Sequence, residues 1–170
     1  MSEVKKKTDD SLSKEIVTTR ILNFPREHVF KAWENPLHLA RWWGPKGFTN
    51  TFQEFNMQPG GTWDFVMHGP DGTNYKNKSV FVEIVKPEKI EFCHVSGPVF
   101  RVQVTFEAMP DKYKTMVMAK RRTKIIFRMI FDSVEECQKV KQYAVNANEQ
   151  NLDKLEMLLK NVNLFSEDKK

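Results

Sequence analysis

The chain is 170 residues long, 40% hydrophobic and 29% charged, with a formal net charge of +5. That length suits one domain with a real core, and the composition is that of a globular chain rather than a disordered or fibrous one. No apolar run approaches the ~20 residues needed to span a bilayer. The charged stretch Met1–Lys14 lacks the apolar heart of a signal peptide, so a cytoplasmic location is expected.

Residues 1–13 are rich in Lys, Asp, Ser and Thr and are expected to form a disordered tail. Glu15–Phe24 alternates, with Val17, Thr19 and Ile21 on one face and Ile16, Thr18, Arg20 and Leu22 on the other, which predicts a strand. Pro25 opens a short helix whose apolar face carries Val29, Phe30 and Trp33, and Pro36 opens a second that stops before Gly44-Pro45. From Phe48 the period becomes two. Strands are expected at Phe48–Met57, Thr62–His68, Lys76–Val85, Lys89–Val95, Phe100–Ala108 and Thr123–Phe131. Short turns at Pro59-Gly60-Gly61, Gly69-Pro70-Asp71-Gly72 and Lys86-Pro87-Glu88 join them, which makes an antiparallel meander.

Ser133 with Glu136 reads as a capping box. Apolar or small residues then recur at Cys137, Val140, Ala144, Ala147, Leu152, Leu155, Leu158 and Leu159. This predicts a helix of roughly 25 residues with one buried stripe. The fold class expected is α+β: a curved antiparallel sheet around a long C-terminal helix, in one domain over residues 14–162, with a tail at 163–170.

Trp63, Phe65, Phe92, Phe106 and Phe127 fall on the inner face of this sheet. Large rings are costly to leave in water, about 1.5–3 kcal/mol each, so they build a concave aromatic wall. Core packing and pocket lining draw on the same residues here. Catalytic signatures are not readable. The chain has no Gly-x-Ser-x-Gly elbow and no phosphate loop, and His28, His38, His68 and His94 have no metal-ligand spacing. Cys93 and Cys137 read as two free, buried thiols. No basic face interleaved with exposed aromatics is visible, so no nucleic-acid partner is expected, and neither a cofactor nor a metal is called for.

The run Phe24-Pro25-Arg26-Glu27-His28-Val29-Phe30-Lys31-Ala32-Trp33 is followed by Trp42-Trp43-Gly44-Pro45 and Pro59-Gly60-Gly61-Thr62-Trp63. Gly69-Pro70-Asp71-Gly72 and Leu152-Asp153-Lys154-Leu155 complete a set that, over about Glu15 to Lys160, resembles the activator of Hsp90 ATPase homologue family. That family lies within the START/Bet v-like superfamily, also called SRPBCC. The resemblance implies a helix-grip fold and a hydrophobic-ligand cavity between the sheet and the last helix. The chain departs from the family pattern at Asn56 and Gln58, where an Asp and an Arg are usual, and at Asn148, where a bulky aromatic is frequent. Met109–Arg122 is also longer and more basic than usual.

The expected function is that of a non-enzymatic binding protein for a small hydrophobic or aromatic ligand. The residues expected at the site are Trp43, Phe65, Met67, Phe92, His94, Phe106, Phe127, Met129, Ala144 and Asn148. His94 continues the inward row of Ile90 and Phe92 as a polar handle or general base; an ordinary histidine at a strand end is the alternative. Asn148 sits among small residues on the helix stripe, either orienting a ligand or as plain helix polarity. Two rival functions remain, an interaction module for an Hsp90-type chaperone and a pocket enzyme such as a cyclase or hydrolase. Met109–Arg122 reads either as a solvated loop or as the tip of a long hairpin that invites a homodimer.

Overall fold

The computed structural model describes residues 12–109 and 121–161. The tails expected at 1–13 and 163–170, and the hairpin tip expected within Met109–Arg122, fall almost wholly outside the described residues. The described part runs β1 (Glu15–Leu22), α1 (Arg26–Glu34), α2 (Pro36–Trp42), β2 (Thr49–Phe55), β3 (Thr62–His68) and β4 (Asn74–Val85). It continues with β5 (Lys89–His94), β6 (Phe100–Met109), β7 (Arg122–Ile130) and α3 (Val134–Asn161). The order of elements is the expected one. The last helix is 28 residues long, and β4 begins two residues before the predicted strand.

All seven strands form one antiparallel sheet in the order β1-β7-β6-β5-β4-β3-β2. The meander supplies six of these, and β1 returns to pair with β7 from Glu15↔Ile130 to Leu22↔Thr123. Its face assignment follows the sequence: Ile16, Thr18 and Leu22 are buried, while Val17 and Ile21 are exposed. Two register shifts, between Phe52 and Glu54 and between Phe81 and Glu83, interrupt the ladders. An extra residue in one strand bends it and sharpens the local twist, and both irregularities fall on the β2–β5 side of the sheet.

Helix starts follow local chemistry. Asn35 Oδ1 accepts from the Leu37 amide at the head of α2, beside Pro36 at its first position. Ser133 Oγ accepts from the Glu136 amide at the head of α3, the forward half of the expected capping box. On β1, Arg20 reaches across to α3, where Asp153 at 2.6 Å and Glu149 at 2.9 Å accept from its guanidinium. The α3 backbone lies closest to β1, α1 and α2, while α1 also rests on β6 and β7. With α2 resting on β2 at the far edge, the helix backbones pack closely toward both edges of the sheet and leave β3–β5 between them to be bridged by side chains. Cys137 is buried as expected, but Cys93 is only half-buried, because it points to the outer face of β5; the two do not form a disulfide.

Candidate functional site

A cavity of about 160 Å³ lies between the β3–β5 half of the sheet and the middle of α3, opening partway to solvent. The sheet contributes Trp63, Phe65 and Met67 from β3, Asn77 and Ser79 from β4, and Phe92 and His94 from β5. Phe100 and Val102 from β6 and Phe127 and Met129 from β7 close the floor. Above them stand Ala147, Asn148 and Asn151 of α3, and Trp43-Gly44-Pro45 of the loop after α2 forms one end. No lining residue among those described carries a formal charge apart from the titratable His94.

Eight of the ten residues expected at the site line this cavity: Trp43, Phe65, Met67, Phe92, His94, Phe127, Met129 and Asn148. Phe106 and Ala144 do not. Phe106 packs under the short helices, its ring 5.4 Å from Phe30 and 6.2 Å from Trp33. Ala144 is buried further along the α3 stripe. Both are buried as the period requires, but away from the cavity, Phe106 at the filled end of the concave surface. Sequence reasoning also left Trp63 out of the site, and missed Asn77, Ser79 and Asn151. The signal for Asn151 was available, since it stands seven residues after Ala144 and four before Leu155, on the buried stripe.

The wall is aromatic because β3 stacks its rings in step. Trp63 lies 4.6 Å from Phe65 and 5.0 Å from Trp43, and 5.5 Å from Phe92. The shift in β2 brings both Phe52 and Phe55 onto Trp63, at 5.6 and 5.9 Å. These edge and offset-stacked pairs are the favoured aromatic geometries. Trp63 is 1% exposed, and its indole N–H has no hydrogen-bond partner among the described residues. A lost bond of this kind costs about 1–3 kcal/mol, here set against the burial of a large ring.

The loop Trp43-Gly44-Pro45 is pinned to α3. Asn151 Oδ1 accepts from the Gly44 amide at 3.1 Å, and Lys154 Nζ donates to the carbonyls of Gly44 at 3.2 Å, Phe48 at 3.3 Å and Pro45 at 3.5 Å. Asn50 Nδ2 ties the end of α2 by donating to Trp43 O at 2.7 Å and Ala40 O at 3.1 Å. Gly44 has φ +95°, which side chains rarely adopt, and a Cβ there would lie 2.8 Å from Met67 Cε. At the base of β3, a Cβ on Gly61 would lie 1.9 Å from the Asn56 carbonyl oxygen, so only glycine fits that turn. The motif glycines thus set the approach of loop to wall. Burial pushes the Lys154 ammonium below its ordinary pKa.

Polar groups gather at the β4–β5 end. His94 Nδ1 is 2.8 Å from Pro98 O, and His94 Nε2 is 2.9 Å from Asn77 Oδ1. The imidazole stacks on Phe100 at 4.8 Å and 15°. Burial pushes its pKa below the ordinary histidine value, against a smaller upward pull from Pro98 O. On the helix side, Asn148 Nδ2 donates to Met129 Sδ at 3.3 Å, a weak acceptor. No three His, Cys, Asp or Glu side chains among the described residues gather to hold a metal ion, and no described helix is long and apolar enough to cross a membrane.

Comparison with known proteins agrees on the fold. A structure from Arthrobacter aurescens is 23% identical, with a TM-score of 0.75 and coverage of 88% of each chain. One from Nitrosomonas europaea is 17% identical, with a TM-score of 0.73 over 89% of this chain and 96% of that one. A protein from Silicibacter pomeroyi described as AHSA1 is 19% identical, with a TM-score of 0.63 over 86% and 97%. No curated protein sequence matches the chain. The family model described as Activator of Hsp90 ATPase homolog 1-like protein matches residues 23–160, and the chain belongs to that family.

Proposed function

We propose that this protein binds a small, largely apolar ligand in the cavity between the sheet and α3. The supporting observation is the cavity itself: about 160 Å³, walled by Trp43, Trp63, Phe65, Phe92 and Phe127, with a few polar groups at its ends. Apolar walls with a few placed polar groups are the usual make-up of a ligand site. An apolar cavity of about 150 Å³ stays dry and takes up benzene, whereas pockets for drug-sized molecules run to about 300–1,000 Å³. The ligand class that fits is therefore a single ring or a short branched chain, not a full-length lipid. Affinity comes from apolar area removed from water, at about 25 cal/mol per Å². Such a ligand binds the folded state alone and raises its melting temperature by mass action.

The chaperone and enzyme readings draw on resemblance alone. The test is thermal denaturation against a graded series: benzene, toluene, naphthalene, octanoate and palmitate. The one-ring compounds are expected to raise the melting temperature most. A series without any shift, or one in which palmitate leads, overturns this reading.

A further inference from the structure

His94 has the most constrained chemistry on the cavity wall. Pro98 O, 2.8 Å from Nδ1, can only accept, so Nδ1 carries a proton. Asn77 is oriented by its own amide, which donates from Nδ2 to Tyr75 O at 3.0 Å and turns Oδ1 toward the imidazole. Oδ1 then lies 2.9 Å from His94 Nε2. An amide oxygen donates nothing, so this contact is a hydrogen bond only when Nε2 is protonated as well, in the imidazolium.

The surroundings disfavour that cation. Facing His94 are Asn77 and Ser79 from β4, Ser96 and Pro98 from the loop after β5, and Phe100 from β6. None of these is charged. Burial holds the imidazole to its neutral form. In that form the Nε2 lone pair meets the lone pairs of Oδ1, two acceptors at hydrogen-bonding distance with no proton between them. Ser96 Oγ, at 3.5 Å, is too far to supply a good one. Both His94 and Asn77 line the cavity. Ser79, directly opposite His94 in the ladder and 1% exposed, brings a hydroxyl to the same end.

Resting on the reading of this cavity as a ligand site, we propose that its ligand is a single aromatic ring headed by a hydrogen-bond donor of the phenol class, whose O–H donates to His94 Nε2 as the Asn77 side chain swings its repelled Oδ1 off that one lone pair. The ring lies among Trp43, Phe92 and Phe127, and the ligand oxygen remains free to accept from the Ser79 hydroxyl. A carboxylate head would bury its charge without a resident cation, and an ammonium head would find no carboxylate among the described lining residues. Both are costly in an apolar site. A hydroxyl matches what the wall presents.

The test is calorimetric titration of the full chain with phenol, toluene and benzoate at pH 8. Phenol and toluene have nearly the same shape, so their difference reports the hydroxyl. Phenol is expected to bind about five- to tenfold more tightly than toluene, the size of one neutral hydrogen bond. His94→Phe keeps a ring over Phe100 and removes both nitrogens; it is expected to erase phenol's advantage, read as the ratio of phenol to toluene affinity in the same variant. The unaltered protein gives a second arm. As the pH falls through the folded-state value of His94, which burial holds below the ordinary histidine value, Nε2 takes up a proton, closes onto Asn77 and stops accepting, so phenol weakens while toluene holds. Equal binding of phenol and toluene overturns the donor-head proposal and leaves the apolar cavity reading standing. So does a phenol preference that survives His94→Phe, or a preference for benzoate that grows on acidification. Failure of toluene and phenol alike overturns both.

Discussion

The concave face of the sheet has two halves made from the same kinds of residue, and only one is filled. Under α1 and α2, Phe30, Trp33, Trp42 and Phe106 are all buried and touch ring to ring, Trp33 at 4.8 Å from Trp42 and 6.2 Å from Phe106. Toward β3–β5 the wall is just as aromatic, yet a cavity of about 160 Å³ remains. The difference lies in what comes down from above. Over the filled half, α1 sends large side chains into the sheet. Over the hollow half, α3 offers Ala147, Asn148 and Asn151, which are too small to fill the space. The lesson is that the rings do not make a pocket; the small residues opposite them do. Interiors pack densely when nothing prevents it, so the gap is a property of the α3 sequence between Ala144 and Leu152.

Truncation in the two halves breaks the comparison most directly. Phe106→Ala leaves a new void in the filled half and should cost about 3–5 kcal/mol. Met67→Ala enlarges a space that already exists and is half-buried, so its loss should fall at or below the low end of the usual range, about 2 kcal/mol. Urea denaturation of both variants checks this. Equal losses would mean that the hollow half carries the same packing energy as the filled one.

The next effect in size concerns the tie that holds the mouth of the hollow half. Lys154→Met keeps the apolar stem and removes a charged donor shared by three carbonyls, those of Gly44, Pro45 and Phe48. Hydrogen bonds to charged groups are worth about 1.5–3 kcal/mol. Some desolvation of the ammonium is regained, so a loss of about 2 kcal/mol is expected. Hydrogen exchange of the Gly44 amide should speed up as the loop loosens, while exchange in α1 stays slow.

Filling the hollow half should do the reverse. Ala147→Leu places a branched side chain into the cavity from above. Cavity filling commonly gains about 0.5–2 kcal/mol, and here about 1 kcal/mol is expected. The same change should abolish toluene binding. A variant that is more stable and still binds toluene would show that the ligand sits elsewhere.

Much of this division was legible in the sequence, but not the part that separates the halves. Alternation along β3 and β5 placed Trp63, Phe65, Phe92 and His94 on one face, and the α3 stripe from Cys137 to Leu159 emerged at its proper spacing. Periodicity tells which face a side chain occupies; it does not tell which end of a curved face lies under which helix. That is why Phe106 and Ala144 are expected at the site, whereas Phe106 belongs to the filled half and Ala144 is buried outside the cavity lining. It also cannot foresee a shift in register. Strict alternation puts Phe52 and Phe55 on opposite faces, whereas the irregularity after Phe52 brings both onto Trp63. Asn151 was passed over because of its residue type. At 8% exposure it occupies a core position, and its polarity is spent on the Gly44 amide.

The smallest expected effect is a pH dependence that each half should contribute separately. His28 on α1, beside the filled half, and His94 at the hollow half both have pKa values lowered by burial. In the unfolded chain each takes up a proton near the ordinary value of about 6.5, while in the folded chain each resists it. Below that pH the unfolded state therefore binds more protons than the folded state, and stability falls with acidification. The sign is fixed: the contribution is fully present above about pH 6.5 and is lost as the pH falls through the folded-state values. His94→Phe should flatten the acid limb of a stability-versus-pH curve in part, and His28→Gln should remove a further share. Since the groups lie on different elements, α1 and β5, their effects should add. A bound phenol adds a distinguishing sign. By holding Nε2 as an acceptor it lowers the His94 value further and steepens the acid limb, whereas bound toluene leaves the slope as it was. An acid limb that ignores both substitutions would assign the pH dependence to the carboxylates, and would detach the His94 site from the stability of the fold.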